Sequence, residues 1–245
     1  MPPRVSVLLA VRDGLPYLRY AVTSILEGQT LRDLELVAVD DGSTDGSLAY
    51  LRGLTDPRLV VVVVRRPRGL TRALNVGLEV CRAPLVARLD ADDVSDPARL
   101  ARQVAHLDAR PEVGLLGTGA YEYGPSIAGY RRVVPPTDDA GLRRALGARN
   151  PFVHSSVMFR ASIVRGLGGY DESFRVAQDY DLWLRMARVT RLACLPDPLV
   201  IRLRHGTSVT ARHPWARRWA EVRARYRAVR AGQYPLTVLV PRFAC

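Results

Sequence analysis

The first half of the chain alternates short, wholly apolar runs with segments of helical periodicity. The predicted strands are Val5–Ala10, Leu34–Val39, Leu59–Val64 and Leu85–Leu89, and the predicted helices between them are Pro16–Glu27, Ser47–Leu54 and Thr71–Cys81. A run that is apolar on both faces is typical of a strand buried between two layers of helices. The alternation therefore predicts an α/β fold with a Rossmann-like, mostly parallel sheet flanked by helices.

The rest of the chain continues without an internal repeat or a flexible linker. A predicted helix, Asp96–Ala109, leads to a strand, Val113–Thr118, and then to a Tyr/Gly/Pro-rich stretch, Tyr121–Pro136, that predicts a hairpin. We therefore expect a single domain of 245 residues, with halves over 1–115 and 116–210 that share one core and a C-terminal segment over 211–245.

Composition indicates a globular protein but leaves the meaning of its charge open. The chain is 48% hydrophobic and 24% charged, so it can bury a core. Its net charge is +12, and every basic residue is an arginine. A basic surface is typical of proteins that bind nucleic acids or anionic membranes, but arginine-only, Ala/Gly/Pro/Val-rich usage is also what a GC-rich genome produces. Charge alone therefore does not identify a partner.

Cysteine usage and hydropathy predict a soluble protein of a reducing, cytoplasmic compartment. Cys81, Cys194 and Cys245 are too few and too scattered for a disulfide framework or a zinc cluster, and the first two lie in apolar surroundings. The longest apolar run, Leu59–Val64, is far shorter than a membrane-spanning helix. The N-terminus lacks the long apolar core and cleavage site of a signal peptide.

The segment from His213 to Gly232 predicts an amphipathic helix. Its apolar residues recur at spacings of three and four: Trp215, Trp219, Val222, Tyr226 and Val229. Arginines occupy the remaining faces. Such a helix either docks on its own domain or lies on an anionic membrane surface, which would make the protein peripheral at the inner face of the membrane.

Two acidic clusters follow the second and fourth predicted strands, namely Asp40–Asp45 and Asp90–Asp93. The carboxyl ends of parallel strands form the ligand crevice of such sheets, so we expect the clusters to meet there. Asp90 and Asp92 are hard oxygen ligands that suit Mg²⁺ or Mn²⁺ together with substrate phosphates. The alternative is that Asp92 or Asp93 only caps the helix that follows. Together the clusters suggest a nucleoside diphosphate bridged by metal; a G-x-G-x-x-G fingerprint and a P-loop are both absent.

These clusters belong to a longer series of motifs. In chain order they are Val5–Leu9 (VSVLL), Val39–Ser47 (VDDGSTDGS), Ala87–Asp93 (ARLDADD), Arg149–Arg160 (RNPFVHSSVMFR) and Gln178–Met186 (QDYDLWLRM). The series resembles the family 2 glycosyltransferases of GT-A fold. The last two strings resemble the exopolysaccharide subgroup that includes the amylovoran biosynthesis transferases. The resemblance covers residues 4–210.

The resemblance implies an inverting transferase that moves a sugar from a nucleoside-diphosphate donor, commonly with uridine as the base, to a saccharide or lipid-linked acceptor. It implies that Asp41 contacts the base and Asp40 supports its turn. It also implies that the Asp90-Ala91-Asp92 motif holds Mn²⁺ or Mg²⁺ and the diphosphate. Asp179 matches the catalytic base, although at a helix start it could be only an N-terminal charge.

Several further residues are candidates for the site, although the patterns that point to them are less specific. Arg72, Asn75 and Arg88 flank the donor clusters, where an arginine can pair with phosphate oxygens. His205 matches a C-terminal position that contacts metal or diphosphate in some GT-A enzymes; a hydrogen-bonded loop histidine is the alternative. The acceptor-side candidates are His154, Asp93 and Asp181. His154 fits a buried structural role as well, and Asp181 is the alternative base.

The chain departs from the family pattern in two places. Gln178 replaces the usual Glu before the base, and Ala10–Asp13 replaces the usual Pro-x-Tyr-Asn, which leaves that loop's nucleotide contacts open. A catalytically silent nucleotide-sugar sensor and a basic membrane-associated adaptor are therefore rival hypotheses. A nucleotidyltransferase is the nearest enzymatic rival, but its basic, Gly-rich N-terminal loop is missing. We expect no nucleic-acid partner.

Overall fold

The computed structural model describes residues 2–64, 66, 68–125, 127, 129–204 and 214–239. The strands are β1 (Val5–Val11), β2 (Leu34–Asp40), β3 (Leu59–Val63), β4 (Leu85–Arg88), β5 (Val94–Ser95), β6 (Val113–Tyr123), β7 (Tyr130–Val133), β8 (Met158–Arg160) and β9 (Arg191–Leu203). The helices are α1 (Tyr17–Leu26), α2 (Ser47–Arg52), α3 (Leu70–Val80), α4 (Arg99–Ala109), α5 (Asp139–Ala148), α6 (Ala161–Gly166), α7 (Gln178–Met186) and α8 (Pro214–Arg230).

These strands form one mixed sheet in the order β3-β2-β1-β4-β8-β6-β9-β5, with β7 paired to β6. The strands β3, β2, β1 and β4 are mutually parallel, and β6 is parallel to β9. The short strand β8 lies antiparallel between β4 and β6 and joins the two predicted halves into a continuous sheet. The predicted α/β fold with a mostly parallel sheet is confirmed.

The burial of the strands explains why the apolar runs in the sequence predict them. Every residue of β1 and β2 is buried, whereas β3, at the edge of the sheet, is only partly covered. Side chains alternate between two cores, so that Leu8 and Val37 pack beneath α3 and α7 while Val7 and Leu36 pack beneath α1 and α4. A central parallel strand must therefore be apolar throughout.

Predicted element bounds differ from the observed ones mostly at the ends. Helix α4 begins at Arg99 rather than Asp96, because the Asp96 carboxylate accepts a hydrogen bond from the Ala98 amide (2.8 Å) and forms a turn there instead. Strand β6 runs on to Tyr123, where its pairing with β7 forms the predicted hairpin.

Helix α8 lies within the predicted C-terminal helix and packs on α7. Cys81 and Cys194 are buried thiols, as expected. Among the helices of the described residues, none combines the length and apolar character needed to cross a bilayer. His205 and Cys245 lie outside the described residues.

Candidate active site

The loop after β2 is built around Asp40. One oxygen of its buried carboxylate, Oδ2, accepts hydrogen bonds from the amides of Gly42 (3.1 Å) and Ser43 (3.2 Å). Gly42 has φ 79°, a left-handed conformation that glycine adopts without strain. The other oxygen, Oδ1, is buried without a hydrogen-bond partner among the described residues. A buried carboxylate oxygen of this kind is costly unless a donor from a ligand satisfies it.

The neighbouring Asp41 is held by backbone amides. Its carboxylate accepts hydrogen bonds from the amides of Arg68 (3.2 Å) and Gly69 (2.9 Å), which precede α3. Its side chain therefore ties the β2 loop to the start of α3. Both carboxylates are buried and each accepts two backbone amides, so Asp40 shapes its own turn and Asp41 joins that turn to α3.

The loop after β1 touches both acidic clusters. The Asp13 amide donates to Ser43 Oγ (3.0 Å), and the Asp13 carboxylate accepts from the Thr44 amide (2.6 Å). On its other side, a Cβ at Gly14 would lie 3.6 Å from the Cβ of Ala91. The clusters at the ends of β2 and β4 therefore flank one loop, as the sheet topology predicts.

Buried arginines organise the D-x-D loop from beneath. Arg88 is fully buried and donates to the carbonyls of Leu8 and Leu89 and to the Asp90 carboxylate. Burial acts to raise the pKa of Asp90, but the Arg88 guanidinium, together with His154, Arg202 and a hydrogen bond with Ser155, outweighs it and holds that pKa below its ordinary value. Because Arg88 has no exposed surface, it orients Asp90 and does not reach the crevice as a phosphate ligand.

A second buried cation, Arg99, supports the same strand end. Its guanidinium donates to the carbonyls of Arg88 (2.8 Å) and Val157 (3.2 Å). Burial, and then the charge of Arg88, lower the pKa of Arg99 to about 9. Two buried arginines close to the carboxylates at the strand end offset part of the repulsion between these acidic side chains.

Asp93 belongs to the framework of the loop. It is 2% exposed, and its carboxylate accepts from Ser155 Oγ and from the Leu203 amide (2.9 Å). Burial, and then the carboxylates of Asp92 and Asp90, raise the pKa of Asp93 well above its ordinary value. This geometry ties the D-x-D loop to β9 and does not support the predicted place of Asp93 on the acceptor side.

His154 lies between the D-x-D loop and the start of α7. Its Nε2 accepts a hydrogen bond from Arg88 Nε (3.2 Å) and lies 3.0 Å from the Tyr170 hydroxyl, while its Nδ1 lies 4.0 Å from Asp90 Oδ1. Burial, and then Arg88, lower the pKa of His154 to about 4, so its ring is neutral near pH 7. The negative charges of Asp90 and of Asp179 both act on this ring. His154 therefore connects two of the predicted acidic sites.

Asp179 is in the first turn of α7, where it is partly exposed. The residue before the helix, Ala177, has φ 57°, which is unusual for a residue with a side chain and marks a sharp change of direction. Asn150 donates from Nδ2 to Asp179 Oδ2 (2.7 Å) and in turn accepts from the Phe152 amide (3.1 Å). This bond fixes one oxygen of Asp179 and leaves the other to face a ligand.

Asp181 has a different environment. It is 3% exposed and pairs with Arg185 (2.8 Å) on the next turn of α7 and with Arg227 of α8 (3.7 Å). A buried carboxylate with two arginine partners holds helices together. The geometry therefore favours Asp179 over Asp181 as the base.

Arg72 and Asn75 project from α3 toward the segment between α6 and α7. Asn75 donates to the Tyr170 carbonyl (2.8 Å) and accepts from the Tyr170 amide (2.9 Å), and Arg72 pairs with Glu172 (2.9 Å). Both side chains thus brace the segment that leads to Asp179, a role different from the predicted donor contact.

A cavity opens beside the D-x-D loop. Its walls are largely aromatic and aliphatic, with one acidic side chain: Tyr17, Tyr20, Asp92, Val94, Tyr123, Ile201 and Leu203. Tyr20 is 64% exposed and Tyr123 47% exposed. Tyrosine rings beside a carboxylate suit a sugar, which offers both a C–H face and hydroxyl groups.

The acidic side chains fit a divalent cation that arrives with phosphates. In the part of the chain that the structure describes, no group of three or more His, Cys, Asp or Glu side chains forms a complete metal cage. Mg²⁺ and related ions at nucleotide sites bind through one or two carboxylates and take their remaining ligands from phosphates and water. Asp90, oriented by Arg88, and Asp92, on the cavity wall, meet that requirement.

Sequence reasoning missed several side chains that position this site. Tyr170 contacts His154, and Ser155 donates to Asp93. Arg99 contacts the end of β4, and Asn150 donates to Asp179. Ser155 and Asn150 lie inside the motif Arg149–Arg160, which was visible as a string but gave no individual roles. Tyr170 and Arg99 carry no local signal, because their importance comes from contacts across the sheet.

Comparison of the sequence with known families matches residues 6–167 to the family described as Glycosyl transferase family 2. Amylovoran biosynthesis glycosyltransferase AmsE of Erwinia amylovora is 35% identical over 195 residues, which cover 78% of this chain and 72% of that protein. Putative glycosyltransferase EpsE of Bacillus subtilis (strain 168) is 33% identical over 189 residues, with coverage of 75% and 66%.

The fold is similar to that of solved glycosyltransferases. S. aureus TarS 1-349 in complex with UDP-GlcNAc superposes with a TM-score of 0.74 at 17% identity, covering 92% of this chain and 66% of that chain. The mannosyltransferase PcManGT from Pyrobaculum calidifontis, in complex with GDP-Man and Mn²⁺, gives 0.71 at 23% identity, covering 98% and 68%. At these identities the likeness shows the fold.

Proposed function

Because the chain belongs to glycosyl transferase family 2, we propose that it moves a sugar, with inversion, from a uridine diphosphate sugar to a saccharide or lipid-linked acceptor in polysaccharide biosynthesis. The observation that carries this proposal is the position of His154, whose Nδ1 lies 4.0 Å from Asp90 Oδ1 and whose ring packs on Trp183 of α7 (centroids 6.0 Å apart), the helix that carries Asp179. The proposed donor-binding carboxylate, Asp90, and the proposed base, Asp179, would then line one crevice.

Donor binding is assigned to the loops after β2 and β4. In line with the family resemblance, Asp41 would contact the base while Asp40 supports its turn: each Asp41 oxygen accepts one amide and keeps a lone pair for an N–H group of the base, such as the imide of uracil. Asp90 and Asp92 would hold Mn²⁺ or Mg²⁺ against the diphosphate. When bound, the cation neutralises the charge that develops on the leaving diphosphate. Among the structural neighbours, TarS is solved with UDP-GlcNAc and PcManGT with GDP-Man, so both nucleotides belong in the donor panel and uridine is the one proposed.

Asp179 is the proposed base. In a single displacement, its carboxylate accepts the proton of the acceptor hydroxyl while that oxygen forms a bond to the anomeric carbon. The bond from the anomeric carbon to the diphosphate oxygen breaks, and its electron pair leaves with the diphosphate. Asn150 keeps Asp179 Oδ2 occupied, so that Oδ1 meets the hydroxyl.

The acceptor is proposed to enter through the tyrosine-lined cavity. Tyr20 and Tyr123 offer rings for the apolar face of a pyranose, and Asp92 lies on the same wall, next to the proposed diphosphate. This arrangement would bring an acceptor hydroxyl and the donor sugar together at the D-x-D loop.

The rival functions differ in their products. Incubation with a panel of nucleoside-diphosphate sugars, Mn²⁺ and oligosaccharide or lipid-linked acceptors should release nucleoside diphosphate only when donor and acceptor match. Release of pyrophosphate from sugar phosphate and nucleoside triphosphate would instead identify a nucleotidyltransferase. Tight donor binding without release with any acceptor would identify a sensor and end the transferase proposal.

A further inference from the structure

Helix α8 packs on the domain through its smallest side chains. Ala224 and Ala228 are 1% and 5% exposed, and Ala220 packs partly against the same core beside α7. Arginines secure the contact at its edge: Arg227 pairs with Asp171 (2.5 Å) and lies over the Phe174 ring (5.0 Å). The helix is therefore held firmly to the domain without using its large apolar residues.

The aromatic stripe of α8, formed by Trp215, Trp219 and Tyr226, lies on the opposite side. With about 100° between successive residues of an α-helix, these side chains fall within about 40° of one another and point roughly 180° away from the alanines. Their exposed fractions are 72%, 73% and 48%. The helix therefore docks on its own domain, as one of the two alternatives expects, but the alanines make that contact and the aromatic stripe does not.

Cationic side chains border the aromatic stripe. The helix carries six arginines and one glutamate. By helical geometry Arg218 flanks the stripe on one side and Arg230 on the other. Both are exposed, and neither pairs with an acidic residue of the described chain. The other four are committed to partners within the protein: Arg217, Arg223, Arg225 and Arg227. Arg218 and Arg230 therefore lie where a surface that covered the tryptophans would contact both arginines.

We propose that the aromatic stripe and its bordering arginines dock on an anionic membrane surface, with α8 lying in the plane of the headgroups. Tryptophan and tyrosine favour that interface, because their rings are apolar while their N–H and O–H groups remain hydrated. Arginines at the rim meet lipid phosphates, which is the charge complementarity that selects this occupant. A duplex nucleic acid would use the arginines alone, and a single strand stacks its bases on aromatic rings within a basic groove, whereas this stripe runs along the convex outer face of a helix.

Docking would also place the crevice close to lipid. Helix α8 packs directly on α7, whose first turn carries Asp179, and adjacent helices lie about 10 Å apart. This consequence rests on the proposed function, whereas the docking itself does not. A crevice close to the membrane surface fits an acceptor that is carried on a lipid.

Flotation of the full chain with vesicles tests the proposal. We expect it to float with phosphatidylglycerol-containing vesicles and about tenfold less with pure phosphatidylcholine, and added salt should weaken the binding. W215S/W219S and R218E/R230E should each reduce binding to the anionic vesicles about tenfold or more. The control R52E/R188E makes the same change in net charge on exposed helix ends elsewhere and should float like wild type.

Tryptophan fluorescence gives an independent readout, because Trp183, the third tryptophan, is fully buried and provides a constant background. Anionic vesicles should shift the emission to the blue, and brominated lipid should quench it, in wild type but not in W215S/W219S. Absence of flotation, or equal flotation of wild type and W215S/W219S, would overturn the proposal. So would DNA binding that survives W215S/W219S in a protein that does not float, since the charge would then serve nucleic acid.

Discussion

At the scale of single residues, the site depends on how each carboxylate is held. Asp40 and Asp41 are adjacent, but Asp41 is bound by two amides of the α3 entrance while one oxygen of Asp40 has no partner among the described residues. Asp179 and Asp181 are likewise close in sequence, yet Asp181 is buried in an arginine pair and Asp179 faces outward on the first turn. Sequence motifs identify such pairs, but only the contacts separate their roles.

The role of Asp179 leads to a prediction. Asp179→Asn keeps the size of the side chain and its contact with Asn150 but removes the proton acceptor. We expect turnover, measured as nucleoside diphosphate release, to fall by about 10²- to 10⁴-fold while donor affinity stays within about twofold. Asp108→Asn changes an exposed carboxylate that pairs with Arg4 just before β1, at the end of the sheet opposite the D-x-D loop; it is the matched control and should be fully active. Near-normal turnover in Asp179→Asn would show that another group takes the proton.

At the scale of secondary-structure elements, the sequence predicted the parallel half well and the antiparallel half poorly. β1 and β2 are buried on both faces, so their apolar runs were unambiguous. β8 has three residues and β5 two, and each exists because a neighbouring strand offers a free edge. Such short strands carry no periodicity of their own. The same holds for the site, where the acidic motifs were predictable but their supports, Arg99 and Tyr170, depend on tertiary contacts.

The contact between α3 and the sheet gives a second prediction. A Cβ at Gly77 would lie 2.2 Å from Leu8 Cδ1 and 2.8 Å from Val39 Cγ2, so glycine allows α3 to approach β1 and β2 closely. Gly77→Ala should lower the free energy of unfolding by about 1–3 kcal/mol in urea denaturation, because a packed core does not accept the extra methyl group. Gly166→Ala, at the end of α6 with open space around its Cβ, should change it by less than about 1 kcal/mol. Equal effects would contradict the close approach.

At the scale of the whole molecule, α8 links the C-terminal region to the segment that precedes Asp179. Asp171 receives Ser173 and Arg227 as donors. Burial acts to raise the pKa of Asp171, but these hydrogen bonds and the charge of Arg227 outweigh it and bring the pKa to about 2. The helix is thereby coupled by charge to the loop that leads into the site.

This coupling predicts acid sensitivity. A carboxyl with a lowered pKa stabilises the fold above its unfolded value of 3.8, and that stabilisation is lost as the pH falls toward about 2. Because the pair is partly exposed, we expect the loss to be no more than about 2 kcal/mol. Unfolding measured across this range should show a smaller loss in Asp171→Asn than in wild type. An identical pH profile for the two proteins would exclude Asp171 as a source of acid sensitivity.

The most direct test of the site as a whole is calorimetric titration of a uridine diphosphate sugar into wild type, Asp92→Asn and Asp179→Asn, each with and without Mn²⁺. If donor, cation and base share the crevice as proposed, wild type binds in a manganese-dependent way, Asp92→Asn loses about tenfold or more in affinity, and Asp179→Asn binds like wild type. Manganese-independent binding that Asp92→Asn leaves unchanged would contradict the proposed site.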